Sequence, residues 1–119
     1  MARILIIDDE EDVLIPLRGI LQNRGFEVAT LSRASTAFMT VDVFKPDVIL
    51  LDIKLAEHDG RDICFQLKAN NRTKRVKILL CSGYITNKEE YIEYGADGFV
   101  EKPIVIDNLV QQIKQLVAG

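Results

Sequence analysis

The chain has 119 residues, 48% of them hydrophobic and 28% charged, with a formal net charge of −3 at pH 7. That length suits a single compact domain, residues 1–119, with one core. The mild negative charge, without any Lys/Arg cluster, argues against direct binding to nucleic acid. No apolar run approaches the roughly 20 residues of a membrane-spanning helix, and the start MARILIIDDE has neither a signal-peptide core nor a small-residue cleavage site. The expectation is a cytoplasmic protein with no membrane insertion.

In chain order, the first apolar run is Ile4 to Ile7, followed at once by Asp8, Asp9, Glu10, Glu11 and Asp12. Val13, Leu14, Leu17, Ile20 and Leu21 then fall at helical spacing, with Pro16 as a misfit tolerated only near the amino-terminal end of a helix. Gly25 punctuates the return to a weaker run, Phe26 to Leu31, and Ala34, Ala37, Phe38 and Val41 give a second helical period before Pro46. The run Val48 to Leu51 ends on Asp52. Ile63, Cys64 and Leu67 mark a third helix, and Ile78 to Cys81 a fourth strand that ends on Ser82. After Gly95, the run Gly98 to Val100 precedes Lys102, and Leu109, Val110, Ile113, Leu116 and Val117 close the pattern as a last helix.

Runs of four or five branched apolar residues without polar alternation suit strands covered on both faces. Their alternation with helices implies a three-layer α/β sandwich around a parallel sheet, joined by right-handed crossovers. Such sheets gather ligands at the carboxyl ends of their strands, where strand order reverses. The residues that follow the runs are then brought to one rim: Asp8, Asp9 and Asp52 as carboxylates, Ser82 as a hydroxyl and Lys102 as an ammonium.

Some of these groups have local explanations. Asp12 reads as a helix cap or first-turn acid, Asp59 beside Gly60 as a turn or cap residue, Glu10 and Glu11 as loop or first-turn acids, and His58 as a loop residue. Cys64 and Cys81 lack metal or CxxC spacing and read as buried reduced thiols. Asp52 is different, because a carboxylate closing an apolar strand costs several kcal/mol unless it is paired or metal-bound. Two carboxylates about 5 Å apart repel by about 3 kcal/mol at an effective dielectric near 20, and one Lys cannot neutralise three acids. An all-oxygen donor set points to Mg²⁺, or Mn²⁺ in its place.

The segments ILIIDDEED, PDVILLDIKLAEHDG, ILLCSGY and GADGFVEKP, in this order, resemble the receiver domain of two-component response regulators across essentially the whole chain. The resemblance implies a (βα)5 flavodoxin-like fold with strand order 2-1-3-4-5. It makes Asp52 the phosphoacceptor, taking its phosphoryl group from a phosphohistidine on a sensor histidine kinase or histidine phosphotransfer protein. It assigns Asp8, Asp9, Asp52 and the backbone carbonyl of Lys54 to Mg²⁺, and Lys102 to a phosphoryl oxygen, with a cis bond to Pro103. Ser82 and Phe99 become the switch pair. Such a domain catalyses its own phosphorylation and dephosphorylation and is not a turnover enzyme on an external substrate. Lys54 and Tyr84 flank the line of attack and are expected to modulate the lifetime of the phosphorylated state.

The chain departs from the family pattern at Ala56, where Pro is usual, and at Phe99, where Tyr is commoner. The stretch from Ser82 to Gly95 is about two residues short, so a short or reshaped fourth helix is expected. The face made by that helix, the last strand and the last helix is the family's usual homodimer surface. Two other readings stay open at this stage. One is a pseudo-receiver that binds partners without phosphorylation, against which the intact acid, hydroxyl and Lys set counts. The other is a small-molecule enzyme or carrier on a similar fold; an aspartyl phosphohydrolase would want an acid at Lys54, and a flavin carrier a phosphate loop where Asp8 to Asp12 stand.

Overall fold

The computed structural model describes residues 1–83 and 88–118, with Lys88 and Glu89 described by their backbone alone. The elements in order are β1 (Arg3–Ile7), α1 (Glu11–Asn23), β2 (Glu27–Leu31), a 3₁₀ turn (Ala34–Thr36) leading into α2 (Ala37–Phe44), β3 (Val48–Asp52), α3 (Gly60–Ala69), β4 (Lys77–Ser82), a 3₁₀ helix (Lys88–Tyr94), β5 (Gly98–Glu101) and α4 (Ile106–Ala118). All pairings in the five-stranded sheet are parallel, in the order β2-β1-β3-β4-β5. This is the expected flavodoxin-like topology.

The branched residues of β1, β3 and β4 are buried because each face of these central strands packs under helices. Ile4, Ile6, Val48, Leu50, Leu79 and Cys81 face α1 and α4, where Leu14, Leu17, Leu21, Leu109 and Ile113 complete one core cluster. Leu5, Ile7, Ile49, Leu51, Ile78 and Leu80 face α2 and α3 and pack with Val41, Ile63, Cys64 and Leu67. Burying each such side chain contributes about 2 kcal/mol. Cys64 and Cys81 therefore lie on opposite faces of the sheet, both buried and free, as the sequence suggested.

Some inward expectations were too broad. Ile20 and Phe38 are 38% and 37% exposed and Val117 is 45% exposed, because a helix lying on a sheet buries a stripe narrower than its run of apolar residues. Pro16 sits inside α1 without breaking it. The donor it lacks would have bonded the Asp12 carbonyl in the first turn. Between β4 and β5 the described helix is 3₁₀, Lys88–Tyr94, consistent with the expected reshaping of the fourth helical segment.

Candidate functional site

The rim forms where β1 and β3 lie side by side. Ile7 pairs with Leu51 in register, so the next positions, Asp8 and Asp52, are neighbours across about one strand spacing. Asp52 in turn pairs with Cys81, and Ser82 with Glu101, which brings Ser82 and Lys102 to the same edge. The Lys102 backbone N–H donates to the Ser82 carbonyl at 3.0 Å, and the Lys102–Pro103 peptide is cis.

Asp8 and Asp52 are 4% and 6% exposed, and Ser82 is equally buried. Lys102 Nζ lies between the two carboxylates, donating to Asp8 Oδ2 at 3.0 Å and to Asp52 Oδ2 at 3.2 Å. Asp8 Oδ1 accepts the Glu10 backbone N–H at 2.9 Å, which turns the chain into α1 and leaves Glu10 at its N-cap, with Glu11 and Asp12 in the first turn. Asp52 Oδ1 accepts the Lys54 backbone N–H at 3.2 Å. Asp9 is half-buried, and one oxygen from each of Asp8, Asp9 and Asp52 lies within 4.8 Å of the others.

The electrostatics of this rim are unbalanced. Burial, joined by the charge of Asp8, raises the Asp52 pKa above the usual carboxylate value, against the pull of Lys102 and the Lys54 N–H. Burial also works against the Lys102 ammonium, but its hydrogen bond to Asp8 and the charges of Asp52 and Asp8 outweigh that and hold its pKa above the ordinary lysine value. The Lys102 ammonium is thus shared between two of three converging acids, and carboxylate oxygens at this spacing suit a hard divalent ion better than a soft one.

The loop after Asp52 folds back on itself through a bridge between Lys54 and Asp59 and a Leu55 N–H to His58 carbonyl bond of 3.3 Å. Asp59 caps α3, accepting the Arg61 backbone N–H at 2.9 Å, as its place beside Gly60 suggested. Gly60 is a site-shaping residue that the sequence reading passed over. A Cβ there would stand 2.0 Å from the Asp52 backbone oxygen, so α3 can start this close to β3 only without a side chain. The available signal was the Asp-Gly pair standing directly before an amphipathic run. His58 and Ala56 line an open cleft of about 670 Å³ beside Asp9, which Asp52 does not line. Phe99 is half-buried against the α2–α3 cluster, with its carbonyl accepting Gln112 Nε2 at 3.1 Å. Tyr84 lies outside the described residues.

The family model for the response regulator receiver domain matches residues 4–114. The chain belongs to this family. The transcriptional regulatory protein PrrA of Mycobacterium tuberculosis is 34% identical over 115 residues, which cover 97% of the receiver chain and 49% of PrrA. The sensory transduction protein RegX3 of the same species is 31% identical over 117 residues, 98% of the chain and 51% of that protein. The receiver chain thus spans about half the length of the curated relatives it matches. The signal receiver domain of a DNA binding response regulator from Colwellia psychrerythraea has the same fold, with a TM-score of 0.90, 27% identity and full coverage of both chains. The chain is accordingly a receiver module of two-component signal transduction. No described helix is long and apolar enough to cross a membrane.

Proposed function

We propose that this receiver domain, residues 1–119, accepts a phosphoryl group on Asp52 from a phosphohistidine of a sensor histidine kinase or histidine phosphotransfer protein in the cytoplasm. The observation that carries the reading is the convergence of Asp8, Asp9 and Asp52 at one sheet edge, with Lys102 Nζ held between two of them. Asp8, Asp9, Asp52 and the carbonyl of Lys54 would hold Mg²⁺, with Mn²⁺ as a substitute. A bound divalent cation supplies positive charge for the phosphoryl oxygens.

The residues divide the remaining work. A carboxylate oxygen of Asp52 forms the new O–P bond as the N–P bond of the donor breaks and its electron pair returns to the imidazole. Lys102 is close enough to both acids to exchange a carboxylate partner for a phosphoryl oxygen, and positioning of this kind supplies most of the catalysis in phosphoryl transfer. The Ser82 hydroxyl hydrogen-bonds the transferred group, and Phe99 turns toward Ser82 in response. Only a difference in how the new dianion contacts two arrangements of Ser82 and Phe99 can shift their populations. Lys54 and Tyr84 modulate how long the acyl phosphate lasts, and the domain catalyses both its own phosphorylation and its hydrolysis. Self-association through 88–94, β5 and α4 would be the output step.

The test is mass spectrometry of the protein incubated with acetyl phosphate. A gain of one phosphoryl mass that needs Mg²⁺ and vanishes in Asp52→Asn supports the reading. A gain that persists in Asp52→Asn, or no gain in the parent, overturns it.

A further inference from the structure

The Arg61 side chain, near the start of α3, joins two parts of the molecule that are distant in sequence. Its Nε donates to Asp59 Oδ1 at 3.0 Å and its Nη2 to Oδ2 at 2.7 Å, a fork-on-fork pairing whose strength depends on orientation as well as charge. Its Nη1 donates to Glu90 Oε1 at 2.9 Å, in the 3₁₀ helix Lys88–Tyr94. The guanidinium carbon stands 5.6 Å from the centre of the Tyr94 ring, and the Tyr94 hydroxyl donates to the same Glu90 oxygen at 3.3 Å. The side chains of Asp59, Arg61 and Glu90 are 35%, 32% and 31% exposed, so the network is shielded from water more than a free surface pair.

Asp59 is also the residue that closes the loop behind Asp52. It bridges to Lys54, caps α3 and precedes Gly60, whose N–H donates to the Ile53 carbonyl at 2.7 Å while its Cα abuts the Asp52 backbone. One guanidinium therefore bolts loop 53–59 on one side and segment 88–94 on the other.

We infer that Arg61, held in place by Glu90, is a positioning residue for the cation site: segment 88–94 sets the rigidity of the loop that presents the Lys54 carbonyl. The inference rests on the proposed role of Asp8, Asp9, Asp52 and Lys54 as ligands. Because coupling between sites is reciprocal, a partner that grips segment 88–94 with the Arg61–Glu90 pair intact strengthens cation binding, and cation binding strengthens that grip by the same factor. An isolated exposed ion pair would carry little of this. The fork, the aromatic face and the shared Glu90 oxygen are what make a network of it.

The test uses two readouts: amide hydrogen exchange of residues 53–60 in the metal-free protein, and calorimetric Mg²⁺ titration. Glu90→Gln removes no group that touches loop 53–59. It is expected to speed exchange there and to weaken Mg²⁺ binding, each by about twofold to thirtyfold, the range that packed networks transmit. Arg61→Met has at least that effect, the double variant is no worse than Arg61→Met, and Arg61→Lys, which keeps the charge without the fork, falls between. Asp42→Asn, which breaks the exposed pair between Arg72 and Asp42, leaves both readouts at parent values. If Glu90→Gln matches the parent in both readouts, the coupling is refuted, even where Arg61→Met has an effect. If the parent itself takes up no Mg²⁺, the cation reading fails instead, and faster exchange in Glu90→Gln would not rescue it.

Discussion

Replacing Gly60 with Ala sets two effects of opposite sign against each other. Helix propensity favours Ala over Gly by up to about 1 kcal/mol, and Gly60 begins α3 outside the positive-φ region that favours glycine. Against that, the new Cβ would sit 2.0 Å from the Asp52 carbonyl oxygen, 2.8 Å from its carbon and 2.9 Å from the Ile53 Cα, all backbone atoms with no rotamer to relieve the overlap. Restoring ordinary contact requires α3 to withdraw by about 1.5 Å. That stretches the 2.7 Å bond from Gly60 N–H to the Ile53 carbonyl beyond hydrogen-bonding range, a loss of about 1 kcal/mol, and overpacking adds about 2 kcal/mol. Net destabilisation by about 2 kcal/mol is expected in urea unfolding, together with weaker Mg²⁺ binding because the Lys54 loop hangs from the same junction. Equal or greater stability with an unchanged m-value would show that propensity wins and that the close approach carries no constraint.

Lys102→Met leaves Asp8 and Asp52 facing each other and is expected to cost about 3 kcal/mol in metal-free protein, less with saturating Mg²⁺. Equal losses in both conditions, measured by urea unfolding, would show that Lys102 does not act by compensating charge. Asp52→Asn is expected to raise the melting temperature of the metal-free protein at neutral pH. Burial and Asp8 raise the Asp52 pKa, so the folded state holds this proton more tightly than the unfolded chain, and stability falls as pH rises above the ordinary carboxylate range. The advantage of the Asn variant should therefore shrink on acidification and on adding Mg²⁺; an advantage that grows toward low pH contradicts the sign. Burial pushes both Cys64 and Cys81 up to about 12, so neither thiol should be alkylated at pH 8 in native protein, and both should react in urea. Rapid native labelling at either position would be inconsistent with the two cores described.

The strands were legible because a sheet covered on both faces demands unbroken apolar runs, and Ile4–Ile7, Val48–Leu51 and Ile78–Cys81 meet that demand without alternation. β2 was the faintest run because it lies at the sheet edge, where only Val28 within the strand is buried. The acid, hydroxyl and Lys positions were legible for a related reason, since a polar residue placed directly after a buried strand has one rim to occupy. What the sequence hides is work done by the backbone and by charged side chains. The closeness of Gly60 to Asp52 has no side-chain signature. The Arg61–Glu90 pair joins residues whose spacing follows neither helix nor strand period. The Ala56 loop keeps its fold through the Lys54–Asp59 bridge although the usual Pro is missing.

Lys102 reaches Asp8 across 94 positions of sequence. A chain still emerging from the ribosome, with β5 not yet made, owns every acid of the rim but not the ammonium that reconciles them. The rim is therefore reconciled only when β5 joins the sheet, after every strand that carries one of its acids has been made.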